Sequence, residues 1–393
     1  MDAFAAGQRA VTARSVLTML PGAAPVDDAA VVLDGRRVLA VGPRRDVLRG
    51  FAGPVTDLGE ALLVPGLVNA HGHLELAGLR GQASAPAGFS AWAAWLVAQD
   101  LSPPSPDVLA RAVAEMAATG TGATIDVGSR AGAQVAAALA GAGLAGLVCH
   151  EAFGWKDTKK PPVPAALDAA APLHGLLAAA ASGHALYSTS PENLRRARDA
   201  CRARGAPFCL HLAEQAEEAE LLATGTGPLA ALLAGRVLPR GYAPPGRSPV
   251  AEAAAQGLLG PDVLAVHAVH LDAADRRLLA DAGAAVCLCP RSNARIGVGT
   301  ADAPALLATG VPLCLGTDSL ASNDDLDLWS EVRALWAAFP DFPAPAMLEA
   351  LTATPGRLLG RGLGRLAPGA TGGAAVVPPD LAERFFQGPA RLR

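Results

Sequence analysis

The sequence predicts an α/β fold: a (β/α)8 barrel of the TIM type with a small composite β-sandwich domain formed by both termini. Three observations lead there. Eight short apolar runs alternate with Ala/Leu/Arg-rich helical segments, most of the histidines fall at the ends of those runs, and the two ends of the chain do not share the rhythm. Repeated strand–helix alternation implies a parallel sheet with crossover helices, and eight such units close a barrel.

Residues 8–60 carry short strands and turn signals, with Asp34-Gly35 between VVL and RRVLAVG as a hairpin candidate. The barrel strands are expected at 62–70, 122–128, 144–151, 184–189, 207–213, 263–270, 284–289 and 311–317. Helices are expected at 191–205, 215–234, 272–283 and 324–338, the first opened by Ser190 as N-cap and Pro191 in the first turn. The Pro/Gly/Arg-rich segment 236–250 reads as a loop over the barrel mouth. Residues 364–378 read as a turn and a returning strand. The expected division is 1–60 and 361–393 for the small domain and 61–360 for the barrel.

Hydrophobic residues make up 51% of the 393 and charged residues 17%, a composition suited to a packed enzyme. The formal charge of −4 leaves no basic stripe, which argues against a nucleic-acid partner. No stretch has the length and apolarity of a membrane span, and no signal peptide is evident, so a cytoplasmic location is expected. The six cysteines form no C-x-x-C pair and are expected as buried reduced thiols.

Of the eight histidines, all but His174 lie at or near the C-terminal end of an expected strand, where barrels carry their active sites. His71 and His73 stand two apart in LVNAHGHLEL, so strand alternation turns both imidazoles to one face. His211 ends the fifth strand in FCLHLAE, and Asp318 ends the eighth in PLCLGTDS. Three imidazoles and a carboxylate suit one divalent ion, Zn2+ first with Fe2+ or Mn2+ as alternatives. Glu214, three residues beyond His211, is placed for proton transfer, whereas Glu217 and Glu218 fit first-turn helix charges. His267, first to leave the sixth strand, is preferred over His270 for catalysis. Candidate substrate contacts are Glu151, His184, Arg291 and Ser319; His184 would serve equally as a structural histidine, and Arg291 as a solvated charge.

The segments PGLVNAHGHLEL (65–76), HALYSTSP (184–191), HLAE (211–214), HAVHLD (267–272), CPRSN (289–293) and LGTDSLASND (315–324) run in order across residues 60–360. Together they resemble the amidohydrolase superfamily in its cytosine-deaminase-like and chlorohydrolase-like branch, and within it the aminodeoxyfutalosine deaminases. The resemblance implies a mononuclear site on His71, His73, His211 and Asp318, with Glu214 and His267 as catalytic partners and His184 against substrate. It also implies the composite terminal β-domain and often a homodimer. Gly72 stands where the family usually has Thr, at a position facing away from the metal.

The expected reaction is hydrolytic deamination of an aminopurine nucleoside-like small molecule, best matched by 6-amino-6-deoxyfutalosine of a menaquinone pathway. Asp318 would take the attacking water's proton, His267 would orient that water, and Glu214 would donate to the ring nitrogen. Adenosylhomocysteine, methylthioadenosine, adenosine and guanine suit the same ligand set. Amide or chloro-ring hydrolysis on this fold, and a non-catalytic binding barrel, are the other classes.

Overall fold

The computed structural model describes residues 7–83, 88–156, 158–171 and 176–387; the expected packing role of His174 lies outside them. Eight parallel strands form the barrel: β6 (Leu67–Gly72), β7 (Thr121–Gly128), β8 (Ala145–Ala152), β9 (Leu177–Gly183), β10 (Phe208–Leu212), β11 (Val263–His267), β12 (Ala285–Leu288) and β13 (Leu313–Leu315). They pair in sequence order as two half-barrels, β6 to β9 and β10 to β13. Their residues are almost wholly buried, as expected for parallel strands covered on both faces.

The two seams between the halves are closed by the site residues themselves. The His211 N–H donates to the His184 carbonyl at 2.9 Å, and the Asp318 N–H donates to the His71 carbonyl at 3.0 Å. Asn69 of β6 reinforces the second seam by accepting the Thr317 N–H and donating to the Thr317 hydroxyl, at 3.1 and 2.7 Å.

Both termini meet in one mixed sheet of β1 (Gln8–Val16), β2 (Val26–Asp34), β3 (Arg37–Pro43), β4 (Val55–Asp57), β5 (Leu62–Pro65) and β14 (Ala374–Val376). The Asp34-Gly35 hairpin is present, joining β2 to β3 with Asp34 opposite Arg37. Leu366 and Ala370 pack with Ala13, Val31 and Leu63, so residues far apart in sequence share one small core.

Three elements differ from the sequence expectation. The run 62–70 is two strands, β5 in the small sheet and β6 in the barrel, broken at Gly66; a Cβ there would stand 2.1 Å from the Gly372 carbonyl oxygen. The fourth barrel strand is Leu177–Gly183 rather than 184–189, so His184 follows its strand instead of opening it. That strand is LAAAASG, whose alanines read as helix by intrinsic preference; burial between neighbouring strands overrides them. The helix expected over 215–234 is two, Ala216–Thr224 and Pro228–Leu233, separated where Gly225 and Gly227 take φ of 75° and 99°.

Ser190 caps Pro191–Arg204 as expected, accepting the Asn193 N–H. The last expected helix starts only at Leu328, behind an Asp327 cap. All six cysteines are buried free thiols. No helix among the described residues is long and apolar enough to cross a membrane.

Candidate active site

Strand order and alternation bring His71, His73, His211 and Asp318 to one point at the C-terminal end of the barrel. His71 Nε2 lies 3.0 Å from His73 Nε2 and 3.2 Å from His211 Nε2. Asp318 Oδ1 lies 3.7 Å from His71 Nε2 and 3.5 Å from His73 Nε2. Donors about 2.1 Å from a tetrahedral ion stand roughly 3.4 Å from one another, so the spacing matches.

Proton accounting supports the same reading. His73 donates its Nδ1–H to the Val127 carbonyl at 2.8 Å, and His211 donates its Nδ1–H to the His184 carbonyl at 3.0 Å. Both therefore present bare Nε2 lone pairs toward His71. With one proton of its own, neutral His71 can satisfy one of them at most, and its buried Nδ1 has no hydrogen-bond partner. Burial and the surrounding rings hold the His71 and His211 imidazoles well below the usual histidine range, hence neutral. Lone pairs converging in a buried space repel unless a cation stands among them. The donors fit one divalent ion.

Asp318 completes the set as an ionised carboxylate. Burial alone would raise its pKa, but the His73 and His267 rings and the Ser292 and Ser322 hydroxyls outweigh that and hold it below the ordinary value. Both hydroxyls donate to Oδ2, Ser322 at 2.9 Å, and the Ser319 hydroxyl lies 3.1 Å from that of Ser322. Oδ2 is saturated, which leaves Oδ1 to face the imidazoles. Groups that orient a ligand typically change metal affinity by about 10–100-fold when removed. Ser292→Ala is expected to weaken zinc affinity by that order in a chelator competition. Unchanged affinity would remove Ser292 from the site.

His267 and Asp318 adopt φ of 75° and 57°, conformations that side chains other than glycine rarely take and that cost roughly 1–3 kcal/mol each. The turn they make at the strand ends brings both side chains over the barrel axis. His267 donates its Nδ1–H to Asn293 Oδ1 at 2.9 Å, leaving Nε2 as an acceptor 3.6 Å from Glu214 Oε1. Burial, then the Asp318 and Glu218 carboxylates, push the Glu214 carboxyl well above the usual range.

A cavity of about 530 Å³ opens over this point, and His73, Glu151, His184, His211, Glu214, His267, Asp318 and Ser319 all border it. Another cleft, of about 470 Å³, lies toward the starts of β10–β13 and is bordered by no histidine. Glu151 is half-buried, with its Oε1 out of contact with water, without a hydrogen-bond partner and 3.7 Å from His211 Nδ1. Burial and the Glu75 and Asp318 carboxylates push its pKa up to about 8. His184 is tied through Nδ1 to the Ser188 hydroxyl, and burial, with the His73 and His267 rings, pushes it down to about 3.

Two residues have surroundings other than the sequence suggested. Arg291 does not border the cavity: its guanidinium pairs with both oxygens of Asp325, and its backbone N–H donates to Glu331 at 3.0 Å. Glu218 stands in the first turn of its helix as expected, but it is fully buried and accepts the Glu214 N–H at 3.2 Å. His270 donates from Nε2 to the Val298 carbonyl at 2.8 Å. Sequence reasoning missed the roles of Ser292, Asn293 and Ser322, although CPRSN and LGTDSLASND contain all three.

A parallel eight-stranded barrel with three imidazoles and a carboxylate converging at its C-terminal mouth defines a metal-dependent hydrolase. Residues 62–390 match the Amidohydrolase family profile. The chain belongs to that family.

A 5-methylthioadenosine/S-adenosylhomocysteine deaminase of Nitratidesulfovibrio vulgaris is 33% identical over 375 residues, covering 90% of this chain and 80% of the relative. An adenosine deaminase from Xanthomonas campestris with bound zinc superposes with a TM-score of 0.73 at 28% identity, covering 95% of this chain and 85% of that one. The Helicobacter pylori aminofutalosine deaminase in complex with methylthio-coformycin gives 0.80 at 17% identity over 97% and 96% of the two chains, a likeness of fold.

Proposed function

We propose that the protein hydrolytically deaminates an aminopurine nucleoside, with 5′-thioether adenosines of the methylthioadenosine and adenosylhomocysteine type as first candidates. The observation that carries this reading is Glu214: a buried carboxyl whose pKa burial raises, beside His267 in the cavity of the metal ligands. Simple amide hydrolysis needs no such donor to an aromatic ring, whereas ring deamination does. The relative at 33% identity favours thioether adenosines over 6-amino-6-deoxyfutalosine, since the likeness to the aminofutalosine deaminase is one of fold.

A divalent ion held by His71, His73, His211 and Asp318 supplies Lewis-acid activation of the attacking water. Asp318 accepts a proton of that water at Oδ1, the oxygen its serine partners leave free. The bare Nε2 of His267 accepts a hydrogen bond from the water and orients it toward the ring carbon bearing the amino group. Glu214 gives its proton to the adjacent ring nitrogen, which makes that carbon electrophilic. The proton on Asp318 then passes to the amino group. Ammonia leaves, the second proton of the attacking water passes through His267 Nε2 back to Glu214, and the ring keeps the oxygen as a carbonyl. Glu151 and neutral His184 border the same cavity and serve as substrate contacts.

The test is ammonia release by zinc-loaded protein from methylthioadenosine, adenosylhomocysteine, adenosine, 6-amino-6-deoxyfutalosine and guanine. Turnover of amides or chlorinated rings alone would overturn the reading.

The raised Glu214 pKa also sets the pH response. The group keeps its proton below its shifted pKa and loses it above, so kcat/KM is expected to fall on the alkaline side of the pH–rate profile. A profile that falls only toward acid would count against Glu214 as the donor.

A further inference from the structure

The cavity is two-sided, and the far side has a chemistry of its own. In the helix Phe89–Val97, residues Phe89, Trp92 and Leu96 follow helical spacing and turn one face to the cavity. Leu229 and Leu232 of Pro228–Leu233, with Val237 after it, complete an apolar wall. The wall is anchored: Trp92 Nε1–H donates to the Ala321 carbonyl at 3.3 Å, and the Ser90 hydroxyl donates to Glu217.

The charges are segregated. Of the carboxylates bordering the cavity, Glu151, Glu214 and Asp318 lie against the site histidines. Glu75 is occupied by the backbone N–H groups of Ser129, Arg130 and Ala131 at 3.1, 2.8 and 3.1 Å. The remaining charged side chains on the border, among the described residues, are Arg130 and Arg236, both cationic.

We propose that this wall is the subsite for the substrate's 5′ substituent and that it selects a neutral, apolar tail of several carbons over one whose only charge is an ammonium. The inference rests on the nucleoside deaminase reading. With the aminopurine ring at Glu214, the rest of the cavity left for the tail is the apolar side. An ammonium there would be desolvated with no free carboxylate to meet it and with guanidinium groups near by. Each methylene that leaves water gains about fourfold in transition-state binding.

The experiment compares kcat/KM for 5′-methylthio-, 5′-butylthio- and 5′-(3-aminopropylthio)-adenosine with zinc-loaded protein. Butylthio is expected to exceed methylthio by at least about tenfold, since three added methylenes are buried. The aminopropylthio compound, of the same length and with an ammonium in place of the last methyl, is expected to fall at least about tenfold below butylthio.

Leu232→Glu should reverse the second ratio by offering the ammonium a partner, and Leu232→Ala should shrink the first. Because each ratio is taken within one preparation, partial misfolding cancels. Equal rates for all three tails, or preference for the aminopropylthio tail by the unaltered protein, would overturn the subsite while leaving the deaminase reading intact. Absence of ammonia from every nucleoside would overturn the deaminase reading and the subsite with it.

Discussion

Replacing Glu214 by glutamine is expected to lower kcat by about 10²–10⁴-fold, the usual size of a general acid–base contribution. Glutamine keeps the shape and can still hydrogen-bond the ring, but it has no proton to transfer. The carboxyl it replaces is 4% exposed, so water has little access to stand in as donor. Metal content should be unchanged, because Glu214 reaches His267 rather than the ligand set. The loss should appear mainly in kcat, since the interaction strengthens as the ring gains charge on the way to the transition state. Retained activity with full metal content would take Glu214 out of the chemistry and return amide hydrolysis to first place.

Stripping the metal is expected to abolish turnover and to lower thermal stability together. The imidazole lone pairs of His73 and His211 converge on His71 in a buried space, and only a cation relieves that arrangement. For zinc at 100 to 1,000 times its Kd, linkage gives about 3–4 kcal/mol of stabilisation. Spread over a chain of 393 residues, that corresponds to a Tm change of roughly 4–5 °C. Chelation followed by zinc addition should move Tm down and back, with activity following it. His71→Asn should hold Tm near the chelated value whether or not zinc is present. A Tm indifferent to chelator and zinc alike would mean that the cluster holds no ion.

Much of this site was legible in the chain before its fold was known. His71 and His73 share a face because strands alternate with a period of two, His211 and His267 lie at the ends of short apolar runs that form buried strands, and Asp318 follows the eighth such run. The fourth strand was not legible, because LAAAASG carries no local signature that distinguishes it from helix. Glu218 does stand at a helix start, but a first-turn carboxylate has the same sequence context whether it faces solvent or the buried Glu214.

Sequence alone thus pointed to side chains with the chemistry to hold a divalent ion, and to the order in which the strands deliver them. Barrel closure decided how they are tuned: that Oδ2 of Asp318 is saturated by one serine from the helix Pro290–Ile296 and one from a turn, that His267 points a bare nitrogen at the site, and that Arg291 turns to Asp325 instead of the cavity. Local periodicity is set by neighbours a few positions away. A hydrogen bond between residues 26 or 34 positions apart depends on where the cylinder of strands brings the elements that carry them together.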